Sequence, residues 1–464
     1  MDELEYDSLR LRQWRSGQAR GFSRRSFLAL TGAASVAASA ALAGAASSAA
    51  SGAAGSAGGS GAGSSAGAAA AADLAAAEAA GAGAEAGGAA GAGAEAGGAA
   101  GAGAGVAAGP IVKPLPAELF KVFDTNAETR WSALKDVGYH VPVDRFFVRN
   151  HTSTPLIDSA TWALEIFGAG LRGGPKTFTL ADLRRLPSVT RSVAVECAGN
   201  GRGYFASQQG QTVSGTAWGL GAVGVGRWRG VRLSTVLRKA GIGRHAVDVQ
   251  ASGLDPNFVS GGVDLGPVRR PMPVSKALDD VILAYELNGA PLPPDHGFPV
   301  RLVVPSWIGI SSIKWVGRIE VSDEPLFSPW NTQFYRLFGP EFPAEGLPFD
   351  RQSIKSAFEL DPGAVFPAGS TTRLTGRSWS AAGRIRRVDV STDGGTTWRR
   401  ARFTGRSPDA AWQPWQIDWR PAAGDHVLLA RATDVHGNTQ PAVARFNTLG
   451  YLFDAAVKVP VTAA

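Results

Sequence analysis

Residues 193–203 read VAVECAGNGRG. An apolar run ends at Cys197, and the loop beyond it holds Gly199, Gly201 and Gly203 with Asn200 and Arg202 between them. Small residues past a strand end let backbone come close to a ligand. A neighbouring cation favours the thiolate, which is the form that attacks or binds a metal. The same pattern also suits a cysteine packed in a core, because free cysteine is among the most buried residue types. The stretch alone leaves both readings open. Three further segments carry candidate chemistry: FFVRNH (146–151) with Arg149 and His151, DHGFPVR (295–301) with His296 and Arg301, and SSIKW (311–315) with Lys314. A lone cation at a strand end is ordinarily a solvated rim charge. Three cations and two histidines drawn from loops of one domain are what a phosphate-bearing anionic cofactor requires.

These loops need strands and helices to hold them. TWALEIFG (161–168) and SVAVEC (192–197) read as strands, with Arg149 and His151 on one face of another. TLADLRRL (179–186) reads as a short helix opened by Thr179, and RLSTVLRKAGI (232–242) as a second, capped by Ser234 and stopped by Gly241. DVILAYELNGAPL (280–292) is a strand running into an Asn-Gly turn. From about 112 to 340 the pattern is therefore α+β with many loops. From about 348 to 464 it is nearly all β. A hairpin is expected around Asp393-Gly394-Gly395 and a turn at His436-Gly437-Asn438, and short strands at roughly 10-residue spacing suggest an immunoglobulin-like sandwich. FGPEFPAEGLPFD (338–350) is the link.

The chain has 464 residues, and its 60 glycines cluster. Residues 32–109 are almost entirely Ala, Gly and Ser, and the decamer GAGAEAGGAA occurs at 81–90 and again at 91–100. So little bulky apolar surface cannot offset the entropy of ordering, so residues 47–109 are expected to be a disordered tract. Ahead of it, SRRSFLALT (23–31), with Arg24-Arg25 and a mild apolar run to about Ala46, has the layout of a twin-arginine export signal over 1–46. The expected destination is the periplasm, cell envelope or exterior. A single cysteine excludes an intramolecular disulfide, a multi-thiolate zinc site and c-type haem. Residues 110–464 carry 40 of the 46 basic residues and 31 of the 39 acids. That balance suits an anionic ligand, but the basic residues are scattered and no stacking pattern of aromatics accompanies them, so nucleic acid is not expected.

FFVRNH, CAGNGR (197–202), AYELNG (284–289), DHGFPVR and SIKWVGRIEV (312–321), in this order along the chain, closely resemble the sulfite oxidase family of molybdenum–molybdopterin enzymes. WSAAGRIRRVDVSTDGGTTW (379–398) and ATDVHGNTQP (432–441) resemble that family's immunoglobulin-like dimerisation domain. The resemblance covers roughly 112–464. It implies a molybdopterin-binding catalytic domain over 112–340 and a dimerisation domain over 348–464. It implies Cys197 as the single protein ligand to molybdenum, a role that suits a thiolate. Arg149 and Arg202 would bind the substrate oxyanion, Trp218 would wall its pocket, and Tyr335 would act at the metal. Arg149, Asn150, His151, Asp255, His296, Arg301, Ser312, Ile313 and Lys314 would hold the pterin and its phosphate.

The activity so implied is oxygen-atom transfer, with sulfite oxidised to sulfate by a homodimer. No haem is expected in this chain, so the electron acceptor would be external, such as a cytochrome c. The chain departs from the family pattern at Gly201, at Ser214, at Phe334, and at Asn447-Thr448-Leu449-Gly450, where animal members read N-L-R-G. Leu449 and Ser214 subtract positive charge from the expected pocket, which keeps reduction of an S- or N-oxide as a second reading. A non-enzymatic extracellular binding protein and a cysteine hydrolase are the rivals that need no molybdenum.

Overall fold

The computed structural model describes residues 110–405, 407–408 and 410–464. The twin-arginine and Ala/Gly/Ser stretches lie outside the described residues. The first region is built on two five-stranded sheets. One runs Arg269–Pro273, Asp248–Gly253, Val316–Ser322, Ala163–Phe167, Lys176–Thr179, with Val316–Ser322 and Ala163–Phe167 parallel and the other neighbours antiparallel. The other runs Ala290–Pro291, Ile282–Leu287, Val223–Arg232, Ser188–Glu196, and Arg301–Val303 also pairs with Ile282–Leu287. A smaller sheet of Phe120–Phe123, Asn126–Thr129 and Val148–Arg149 lies beside them. The strands expected within 161–168, 192–197 and 280–292 are present, whereas the one expected to carry both Arg149 and His151 ends at Arg149. Ser188–Glu196 stops one residue before Cys197, so the cysteine heads the glycine-rich loop instead of lying in the ladder.

Leu180–Arg185 is a helix whose Thr179 accepts from the Asp182 backbone while the Asp182 carboxylate accepts from the Thr179 backbone. That reciprocal pair fixes where the helix starts. The second helix, Leu233–Ala240, corrects one expectation. Its N-cap is Arg232, which makes no side-chain cap, and Ser234 is buried inside the first turn. The preceding strand Val223–Arg232 delivers the chain directly into the helix and leaves no extended residue at 234 to cap it. Gly241 does end this helix, in the left-handed region at φ 92°. The Asn288-Gly289 turn also forms, with φ of 55° and 90°. Positive φ at both central residues is what a two-residue hairpin turn demands.

The C-terminal region is two facing sheets. Lys355–Phe358, Thr372–Trp379, Gln413–Trp419 and Arg402–Phe403 form one, and Val365–Phe366, Val459–Ala463, Gly424–Asp434, Ile385–Ser391 and Arg399–Arg400 the other. Between them pack Phe358, Leu374, Val388, Trp415, Leu428 and Val461. The expected turn at 393–395 is held by the Asp393 carboxylate, which accepts from the Thr397 backbone at 2.9 Å and from the Ser391 hydroxyl at 2.7 Å. The two regions share a core. Trp379, Trp412, Phe453 and Val457 join Val193, Cys197, Phe205 and Trp218 in one apolar cluster, and Trp131 stacks on Trp379 at 6.0 Å. The linking segment is folded back on itself, with Arg336–Leu337 paired to Leu347–Pro348.

Candidate active site

Two adjoining recesses hold every residue to which the family resemblance assigns a site role. They share Arg149, Asn150, His151, Cys197 and Tyr335 as a common wall. The larger recess, about 720 Å³ together with its open mouth, adds Asp255, His296, Arg301, Ser312, Ile313 and Lys314. The smaller, about 560 Å³ on the same footing, adds Arg202 and Trp218. Residues from seven separate stretches of chain therefore converge, and the lone cysteine stands where the recesses meet.

Local structure accounts for each position. The Cys197 amide donates to Ala222 O at 2.9 Å, and its carbonyl accepts from Asn200 N at 3.0 Å, so a bond just beyond the ladder and the first turn of the loop clamp it from both sides. Val148–Arg149 is a two-residue strand, so His151 lies beyond it. Arg149 nevertheless meets His151, Nη2 to Nε2 at 3.1 Å, and Trp330 Nε1 lies 3.1 Å from the same ring nitrogen. Arg301 donates to His296 O at 3.1 Å and Ser312 O at 3.0 Å, and its guanidinium lies 5.0 Å from the Trp228 ring. Lys314 donates to the Asn150 side chain and to Asp295 O at 2.9 Å. Tyr335 follows the short helix Pro329–Thr332 and is held at φ 56°. A tyrosine in the left-handed region is uncommon and concentrates at functional sites.

The electrostatics of the larger recess favour an anion. Burial, reinforced by Arg301, drives the Lys314 ammonium well below its ordinary pKa. Burial and the surrounding cations hold His151 and His296 well below the usual imidazole range. Burial lowers even Arg301 to about 9. It raises the Asp255 carboxyl to about 6. A fixed anion offsets the burial that penalises the charged form of these gathered cations. The His296 ring is 2% exposed, and its Nε2 has no hydrogen-bond partner among the described residues; nor has Ser311 Oγ. Buried polar atoms of this kind are normally satisfied. These residues fit a phosphate-bearing cofactor. Among the described residues there is no group of three or more His, Cys, Asp or Glu able to hold a metal. A metal here would take Cys197 from the protein and its remaining ligands from an organic group.

The sequence did not reveal several contributors. Tyr451 and Phe258, with the already noted Phe334, make the smaller recess partly aromatic. Asp295, 1% exposed, accepts from Val112 N at 2.9 Å, Lys113 N at 2.8 Å and Thr154 Oγ1 at 2.6 Å, tying the start of the described chain to the larger recess. Its neighbour His296 was the available signal. For Tyr451, some 250 residues from Cys197 in sequence, the signal was the adjoining Asn447-Thr448-Leu449-Gly450. Leu449 is 1% exposed and packs with Tyr335 and Tyr451 in an apolar cluster behind the recess, lining neither space. Gly201 has φ 95°, and a Cβ there would lie 3.0 Å from Phe453.

Comparison with known proteins agrees with this geometry. Residues 151–330 match the family described as oxidoreductase molybdopterin binding domain, and residues 359–464 the Mo-co oxidoreductase dimerisation domain. Fold and site thus define a molybdopterin-binding domain joined to a dimerisation domain. Mouse mitochondrial sulfite oxidase is 36% identical over 349 residues, 70% of this chain and 62% of that protein. Chicken sulfite oxidase is 36% identical over 323 residues, 65% of this chain and 68% of that protein. The barley NAD(P)H nitrate reductase is 32% identical over 366 residues, 72% of this chain and 40% of that protein. Among solved structures, the sulfane dehydrogenase SoxCD from Paracoccus pantotrophus superposes with a TM-score of 0.63 at 29% identity, covering 72% of this chain and 83% of that one. The chain belongs to the sulfite oxidase family. It spans about 62% of the length of the mammalian sulfite oxidases it matches.

Proposed function

We propose that this protein is a molybdenum-dependent oxidoreductase that oxidises sulfite to sulfate and passes the electrons to an external acceptor such as a cytochrome c. The observation that carries the reading is the place of Cys197, on the wall shared by a cationic recess and a smaller one holding Arg149 and Arg202. When bound, the molybdenum–molybdopterin group supplies oxygen-atom transfer, with water as the ultimate oxygen source, two electrons taken up and two protons released. Cys197 would be its protein ligand. His296, Arg301, Ser312, Ile313 and Lys314, with Asn150, His151 and Asp255, would hold the pterin and phosphate through charge-assisted hydrogen bonds. Arg149 and Arg202 would neutralise the oxyanion in a desolvated pocket, where such contacts are stronger than in water. Trp218 would exclude water, and Tyr335 would donate a hydrogen bond toward the reacting oxygen.

The deciding experiment is steady-state turnover of the purified, molybdenum-loaded protein. Sulfite with ferricyanide is run beside a panel of S- and N-oxides with a reduced dye. Sulfite-dependent reduction of ferricyanide supports the reading. Full molybdenum content with no sulfite activity and brisk S-oxide turnover replaces it with the reductase reading, to which the aromatic Tyr451, Phe258 and Phe334 wall is suited.

Two further features belong to the proposal. The C-terminal domain would pair two chains about a two-fold axis, which a monomer mass by light scattering at micromolar concentration would contradict. Arg24-Arg25 would direct export of the folded, cofactor-loaded protein. Changing both to lysine should leave precursor in the cytoplasm, and normal export of that variant would refute the assignment.

A further inference from the structure

We propose that Tyr451, carried by the C-terminal domain, is a positioning residue that sets how tightly the substrate pocket binds a small divalent oxyanion, by holding the Arg202 guanidinium in place. The proposal rests on the substrate reading above and adds to it a part for the second domain.

The Arg202 side chain runs through a slot that only small residues leave open. A Cβ added to Gly215 would lie 2.2 Å from Nη1, one on Gly199 would lie 3.0 Å from Cζ, and one on Gly450 would lie 2.7 Å from Cγ. Gly199 belongs to the cysteine loop and Gly215 to the segment before Trp218, but Gly450 comes from the C-terminal domain. The next residue closes the slot. The Tyr451 ring lies 5.0 Å from the Arg202 guanidinium carbon and stacks on Tyr335 at 5.2 Å with 18° between the planes. Arg202 is 4% exposed and Tyr451 2%. An aromatic face attracts a guanidinium through its quadrupole, more strongly when water is excluded. A planar ring also limits how the guanidinium can turn.

The loop that presents Tyr451 is itself fixed. The Asn447 side chain accepts from Tyr451 N and donates to Tyr451 O, both at 2.8 Å. Leu452 N donates to Ala198 O at 2.9 Å, beside Cys197, and Thr448 N donates to Phe338 O at 3.0 Å. The ring is therefore delivered by a segment bonded both to itself and to the cysteine loop. Its position follows the docking of the two domains. The face of the ring does this work, and the hydroxyl is not needed for it.

The test is isothermal titration of sodium sulfate into the purified holoprotein at fixed ionic strength, for wild type, Tyr451→Phe and Tyr451→Leu, with thermal melts to verify folding. The leucine variant is expected to bind sulfate roughly 3- to 30-fold more weakly, while the phenylalanine variant stays within about twofold of wild type. Sulfite KM should move with these affinities while kcat changes little. Should the leucine variant not fold, Tyr451→Met removes the ring, refills the gap with a flexible chain and carries the same expectation. Unchanged sulfate affinity in the ringless variant overturns the proposal, as does equal weakening by phenylalanine. No sulfate binding by wild type is a different result, which removes the oxyanion pocket itself and the substrate reading with it.

Discussion

Glu196 and Lys355 form an ion pair of 2.9 Å with both side chains 2% exposed. Glu196 is the residue before Cys197, and Lys355 opens the first strand of the C-terminal sandwich. The same carboxylate accepts from Asn200 Nδ2 at 2.9 Å and from Trp379 Nε1 at 3.0 Å, and Asn200 Oδ1 accepts from Ala222 N at 2.9 Å. One buried charge network thus joins the end of the cysteine-bearing strand, the glycine-rich loop and the second domain.

Removing one partner of a buried pair strands the other charge at a cost of about 3–5 kcal/mol. Lys355→Met should lower stability by that order, and adding Glu196→Gln should restore part of it because the stranded charge is gone. Denaturant titration of the three proteins measures this. A single variant with the wild-type midpoint would show that the pair contributes nothing to domain docking.

Arg202 and Tyr335 should separate kinetically. A charge-assisted contact is worth about 1.5–3 kcal/mol, so Arg202→Met should lower kcat/KM for sulfite by roughly 10- to 150-fold, largely through KM. Tyr335→Phe should lower kcat more than it changes KM, as the proposed role of its hydroxyl at the reacting oxygen requires. Equal effects on both parameters in both variants would merge the two roles and contradict the assignment.

Glu128 predicts a pH dependence of stability. It lies in Asn126–Thr129 beside a cleft of about 1270 Å³ at the seam of the two domains. Burial pushes its carboxyl up to about 7, against the opposing pull of Lys121, the Gly219 and Gly221 amides and Arg130. The folded protein therefore holds a proton that the unfolded chain releases. This contribution is complete below about pH 4.5 and is lost as pH rises through about 7. Glu128→Gln should flatten the decline by up to roughly 3 kcal/mol. Chemical denaturation at about pH 5 and about pH 8 reads it, and identical slopes in variant and wild type would refute it.

Much of the site was legible because it is assembled from local strings. Cys197 with its glycines, Arg149 with His151, and His296 with Arg301 each occupy a few adjacent positions, and strand ends brought them together. Asp182 three residues after Thr179 likewise foretold a helix start. Ser234 misled because residue type alone cannot say whether a position is extended or already helical. Tyr451, Lys355 and Glu128 were not legible. Their importance lies in contacts across the domain seam, which depend on how two sheets dock and leave no periodicity in the chain. Leu449 looked like lost pocket charge, but its neighbours Tyr335 and Tyr451 place it in an apolar cluster. Arginine there would bury an uncompensated charge, so Leu449→Arg should destabilise the fold before it strengthens sulfite binding.

Cys197, the only cysteine in the chain, is the proposed sulfur ligand to molybdenum. X-ray absorption at the molybdenum edge, on wild type and Cys197→Ser purified with cofactor, tests it directly. The serine variant should fold, retain the pterin, show one sulfur fewer around the metal and lose sulfite turnover. The same sulfur count in both proteins would contradict the claim.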